Sequence, residues 1–184
     1  MRSLSTLAFV AMLAAAIVAP ASAQTKGFVL SSPDIKNGTI APAQVYNSFG
    51  CTGGNVSPQL VWTGAPQGTK SFVLTVFDPD APTGSGFWHW VVANIPAGTP
   101  GLANGASRTK KMPAGSLETR TDFGAPGYGG PCPPPGAPHR YVFTLYALKV
   151  DKIDVTADSS GALVGFNTLA NSIAKATFTA KYGR

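Results

Sequence analysis

The sequence predicts a mainly β, antiparallel domain of the sandwich type, with one helix near its carboxyl end. Three observations carry this. Segments 71–77, 88–95 and 140–148 are rich in β-branched and aromatic residues with the alternation of strands. The 21 glycines and 16 prolines among 184 residues interrupt the chain too often for long helices. One stretch alone, Ser160 to Lys175, repeats apolar residues at helical spacing. With 44% hydrophobic and 12% charged residues, the chain has material for a core and too little charge for wholesale disorder.

The amino terminus comes first. Met1-Arg2, the uncharged run Leu7 to Ala19, the breaker Pro20 and the small residues Ala21-Ser22-Ala23 read as a secretory signal cut after Ala23. Residues 24–184 then form a single domain of 184 − 23 = 161 residues, a size that suits one core. Arg2 leaves with the signal, so the mature charge is 13 − 8 = +5. No later run is long and apolar enough to span a membrane. The expected destination is the periplasm or the exterior of the cell.

Short strands are expected at Phe28 to Leu30 and Leu60 to Trp62. The first long strand, Ser71 to Phe77, stops at Asp78-Pro79-Asp80-Ala81-Pro82, where two prolines stiffen a turn that carries two acids. Trp88 to Ile95 follows a Gly-containing loop. Phe123 to Pro138 is too rich in Gly and Pro for regular structure, and Arg140 to Leu148 is the longest strand run. In the helix, Leu163, Phe166, Leu169 and Ile173 fall on one stripe, with Ser159 or Ser160 as the cap. A last strand is expected over Thr177 to Tyr182.

Cys51 and Cys132 read as a structural disulfide, because an exported chain meets an oxidising compartment. Closing about 80 residues in this way contributes roughly 4–5 kcal/mol by the loop-entropy argument. A nucleophilic thiol fits Cys132 less well, since no helix or base flanks it to lower its pKa. The local basic cluster, Arg108 with Lys110-Lys111, has no interleaved aromatics and reads as a solvated loop, not a nucleic-acid groove.

The mature chain has two histidines, His89 and His139. Strand alternation predicts that Trp88 and Trp90 share one face, leaving His89 on the other with Val91. His139 opens its strand and shares a face with Tyr141 and Phe143. An acid of the Asp-Pro turn beside a histidine fixes its tautomer and favours a cationic donor for a phosphate oxygen. The N–H groups of Gly127, Gly129 and Gly130 are further candidate donors. If these pieces converge, a small anion pocket follows. Each also has an ordinary structural explanation, and strand order decides between them.

Asp78-Pro79-Asp80-Ala81-Pro82, Trp88 to Pro96 (WHWVVANIP) and Gly130 to Tyr141 (GPCPPPGAPHRY), in that sequence, resemble the phosphatidylethanolamine-binding protein family, and within it the bacterial YbhB/YbcL branch of Raf-kinase-inhibitor-like proteins. Gly50-Cys51 and Asn55 to Trp62 fit the same branch, and the resemblance spans about Phe28 to Arg184. It implies a Greek-key β-sandwich with a pocket for phosphate, acetate or a phospholipid headgroup. Asp78, His89, His139 and Tyr141 would line that pocket, with Asp80 and Pro131 supporting its rim. Animal members carry a pocket tyrosine on a longer loop after the acidic turn. Here Thr83-Gly84-Ser85-Gly86 is short and Phe87 lacks the hydroxyl.

The expected function is therefore a non-catalytic binding protein for a small anionic ligand, without cofactor or metal. An inhibitor or regulator of a protease or kinase, acting through the pocket loops, is the alternative the resemblance implies. A homodimer stays open. A hydrolase is disfavoured, because no Gly-x-Ser-x-Gly elbow and no His-Glu-x-x-His helix occurs. Glycosylation sequons at Asn37 and Asn55 matter only in a eukaryotic host.

Overall fold

A computed structural model describes residues 27–184. The expected signal segment, residues 1–23, lies outside the described residues. Among the described residues, eight strands and one α-helix follow one another: β1 (Val29–Ser31), β2 (Leu60–Thr63), β3 (Ser71–Asp78), β4 (Phe87–Pro96), β5 (Gly101–Leu102), β6 (Leu117–Glu118), β7 (His139–Leu148), α1 (Gly161–Asn171) and β8 (Ser172–Tyr182). Every expected strand is present. The two-residue strands β5 and β6 are additions, too short to leave a pattern in sequence.

The strands form two antiparallel sheets, β1-β2-β5 and β6-β4-β3-β7-β8. In the larger sheet β3, β4 and β6 lie side by side, and β7 returns to pair with β3, which is the Greek-key order. The main core includes Leu30, Leu60 and Trp62 of the small sheet with Phe72, Leu74, Trp90 and Phe143 of the large one, all 6% exposed or less. A second cluster (Val73, Val91, Ala93, Leu148, Ile153, Val164) covers the other face of the large sheet. Strands β3 and β4 are thus apolar on both faces, as a central strand between two buried layers must be.

Two expectations fail here, each for a physical reason. The alternation expected at Trp88-His89-Trp90 is broken by a β-bulge: Val76 pairs with Trp90 and Phe77 with Trp88, so His89 is the extra residue. Trp88 therefore packs on Phe77 on the helix side. Trp90 enters the main core, where its Nε1–H donates to Glu118 at 2.7 Å. The two indoles lie on opposite faces, and His89 turns toward Tyr141 on the main-core side.

The helix differs as well. It ends at Asn171, and the chain turns directly into β8, which pairs with β7 from Ser172 to Tyr182. The expected apolar stripe points outward, with Leu163 48%, Phe166 74%, Leu169 68% and Ile173 42% exposed. The buried residues of α1 are Gly161, Val164 and Thr168. A Cβ on Gly161 would collide with the Trp88 ring, so a glycine lets the helix approach the sheet. Ser160 caps the helix by accepting from the Leu163 N–H.

Candidate functional site

The site forms where β3 ends, β4 is bulged and β7 begins. Pairing of Phe77 with Val142 places the start of β7 alongside the end of β3. Asp78, 3% exposed, is the last residue of β3. Its Oδ1 accepts the Asp80 N–H at 2.8 Å, the local turn bond that an Asp-Pro-Asp sequence favours. Its Oδ2 lies 2.7 Å from His139 Nδ1. The carboxylate accepts, so His139 carries a proton on Nδ1 and turns Nε2 to the other side of its ring.

His89 is held by the bulge and by a reciprocal backbone clamp. Its Nδ1–H donates to Gly129 O at 2.8 Å, and the Gly129 N–H donates to His89 O at 2.9 Å. The ring is buried, and desolvation holds its pKa below the ordinary 6.5 against the opposing pull of the Gly129 carbonyl and Asp78. It is neutral at pH 7. The Tyr141 ring meets it edge-on at 5.1 Å, and the Tyr141 hydroxyl is buried without a hydrogen-bond partner. Desolvation, reinforced by the charge of Asp78, pushes the Tyr141 pKa well above its usual value, so the hydroxyl keeps its proton.

Around these groups lies a cavity of ≈ 130 Å³. Asp78, His89, His139 and Tyr141 line it. Phe49, Phe87 and Phe123 form an aromatic wall, Ala81, Pro82 and Thr83 one lip, and Cys132, Pro133 and Pro134 the other. The Phe123 ring sits 5.3 Å from His89 and 4.9 Å from Phe87. The volume is below the roughly 300–1,000 Å³ of sites for drug-sized ligands, so it suits a small group.

A disulfide joins Cys51 and Cys132, with Cα atoms 6.0 Å apart, and ties the Phe49 segment to the Pro-rich lip. Behind that lip, Gly130 packs so closely on the backbone of Gln44 and Tyr46 that a Cβ there would overlap both. The Gly130 N–H donates to Asn55 Oδ1 at 2.8 Å, which gives the second sequon asparagine a role inside the fold.

The four residues expected to line the pocket thus share one cavity, and the two expected at its rim, Asp80 and Pro131, lie outside its lining. Asp80 faces away from it and binds Arg140, accepting from the backbone N–H at 2.9 Å and from Nη2 at 2.6 Å. The Arg140 hydrogen bonds hold the Asp80 carboxyl at about 2, below the ordinary 3.8. Pro131 is buried, and its carbonyl accepts the Tyr46 N–H at 3.0 Å. It braces the lip from behind. Nor do the N–H groups of Gly129 and Gly130 serve as anion donors, because His89 O and Asn55 occupy them.

Two of the three rings of the aromatic wall, Phe49 and Phe123, escaped the sequence reading. Phe49 and Phe123 stand in breaker-rich loops where no periodicity marks a facing residue. Among the described residues, no group of three or more His, Cys, Asp or Glu side chains is arranged to hold a metal ion.

The family model described as "Phosphatidylethanolamine-binding protein" matches residues 31–183. The UPF0098 protein YbcL of Escherichia coli K12 is 52% identical over 165 residues, 88% of this chain and 90% of that protein. The UPF0098 protein YbhB of the same organism is 52% identical over 155 residues, 83% of this chain and 98% of its own length. The crystal structure of E. coli YbcL, described as a member of the mammalian PEBP family, superposes with a TM-score of 0.83 at 51% identity, covering 85% of this chain and 98% of YbcL.

Proposed function

The chain belongs to the phosphatidylethanolamine-binding protein family, and from that premise we propose that it is an exported, non-catalytic protein that binds a small anion, such as phosphate or a phospholipid headgroup. The observation that carries this is the convergence of His89, His139 and Tyr141 on one small cavity, with Asp78 orienting His139. When His139 is protonated, its Nε2–H is a donor fixed by the buried carboxylate behind it. The Tyr141 hydroxyl adds a second donor that no protein group consumes. Two pre-aimed donors in an apolar setting favour an anion, because a site of low polarisability strengthens each charge-assisted bond.

In the cavity lining neither the cysteine sulfur nor the threonine hydroxyl is free to act as a nucleophile. Cys132 is in the disulfide, and the Thr83 hydroxyl donates to Gly86 O. That supports binding without turnover. Export is supported by the charged, apolar and small-residue succession over residues 1–23 together with the disulfide.

Titration calorimetry with inorganic phosphate and with phosphoethanolamine, on wild-type protein and on His139→Ala, tests the proposal. The wild type is expected to bind at least one of the two, and H139A to bind it at least about tenfold more weakly, the equivalent of 1.4 kcal/mol. Equal heats from both proteins overturn it.

A further inference from the structure

The hydrogen-bond inventory of the cavity bears on what an anion must bring with it. His89 Nδ1 lies 2.8 Å from Gly129 O. A carbonyl only accepts, so the single proton of the neutral ring is on Nδ1 and Nε2 keeps its lone pair. An oxyanion oxygen also presents lone pairs, and it repels Nε2 unless a proton lies between them. Rotating the ring offers no escape, because it would break the Gly129 bond in a residue that is 4% exposed.

Resting on the anion-site reading above, we infer that the cavity takes up its oxyanion together with one proton, held between His89 Nε2 and the ligand oxygen. The preferred occupant is then an oxyanion that carries a proton on the oxygen meeting Nε2, such as the monoanion of a phosphate monoester, and not the monoester dianion, which has no proton to donate. The proton comes from hydronium or buffer acid, whose bond to it breaks as an O–H bond to the ligand oxygen or an N–H bond to Nε2 forms, and no other covalent bond changes.

The groups facing His89 agree with this. Asp78 approaches from β3, Tyr141 and His139 from β7, and Asp122 from the loop after β6. Asp78 and Asp122 favour a proton on the ring, while burial opposes it more strongly. Burial therefore keeps the site unprotonated when empty. An arriving anion adds the missing negative charge beside Nε2 and tips the balance toward protonation.

Calorimetry with methyl phosphate, whose dianion has no O–H of its own, in two buffers of different ionisation enthalpy at one pH, counts the protons directly. The expected count in the wild type is an uptake of at least one proton per ligand above neutral pH, with Kd rising at least about tenfold per pH unit there. In His89→Gln the amide supplies a permanent N–H donor, so the uptake is expected to fall by about one proton, and any proton that His139 takes up is common to both proteins. Methyl phosphate bound by the wild type without proton uptake overturns the inference and leaves the anion site standing. Uptake of the same size in H89Q also overturns it, since the proton then resides elsewhere. No methyl phosphate binding at any pH removes the site and the inference together. The wild-type measurement does not depend on whether the variant folds.

Discussion

Tyr141 carries a hydroxyl that the fold itself leaves unused: it is buried, lines the cavity and has no hydrogen-bond partner. A buried polar group without a partner costs about 1–3 kcal/mol. Removing it has opposite consequences for folding and for binding. Tyr141→Phe is expected to leave stability unchanged or raise it by about 1 kcal/mol in denaturant unfolding, while weakening phosphate binding by about tenfold. A variant that loses both would assign Tyr141 to packing alone. The titratable residues add a pH signature. Asp80 titrates at about 2 in the fold against 3.8 ordinarily. With a depressed folded value, its contribution is complete above pH 3.8 and is lost as pH falls toward about 2. His89 acts in a higher window. Its folded pKa is below 6.5 because burial disfavours the imidazolium, so the unfolded chain binds more protons and stability declines once pH drops below that value. Unfolding midpoints recorded against pH should flatten near pH 4–2 in Asp80→Asn and near 6.5 in His89→Gln. Curves parallel to the wild type would contradict both assignments.

The bulge in β4 and the outward stripe of α1 show where a sequence stops being informative about its elements. Runs such as Ser71–Asp78 and His139–Leu148 are legible because β-branched and aromatic residues between breakers admit little else. The bulge at His89 depends on which residue of β3 sits opposite, a fact of register that no local pattern records. Likewise, periodicity located the helix but not its buried side. The core face is set by what the large sheet can accommodate, and beside Trp88 it accommodates only Gly161, Val164 and Thr168. Asp78, His89, His139 and Tyr141 were readable from motif order, whereas Phe49 and Phe123 required loop geometry. Stability measurements separate the two faces of α1. Val164→Ala is expected to cost on the order of 2 kcal/mol, and Phe166→Ser to change stability by no more than about 0.5 kcal/mol. Gly161→Ala, despite a better helix propensity, should destabilise by about 1–3 kcal/mol through overpacking on Trp88. The reverse ranking of Val164 and Phe166 would mean that the stripe is covered.

Across the domain, the disulfide joins two segments 81 residues apart and also closes one side of the cavity. The Cys51→Ala/Cys132→Ala double variant is expected to lose about 2–5 kcal/mol of stability, read as a lower midpoint in thermal unfolding, and to bind phosphate more weakly because the Phe49 wall and the Pro133-Pro134 lip are no longer tied together. Stability equal to the wild type would make the disulfide incidental. Among the described residues no helix is long and apolar enough to cross a membrane. All of this depends on three distant stretches, the end of β3, the bulge of β4 and the start of β7, building one receptor for an anion. A crystal structure determined in phosphate addresses that most directly. The account requires a phosphate within hydrogen-bonding distance of His89 Nε2, His139 Nε2 and the Tyr141 hydroxyl. A cavity that holds only water at saturating phosphate, with the imidazoles unmoved, would contradict it.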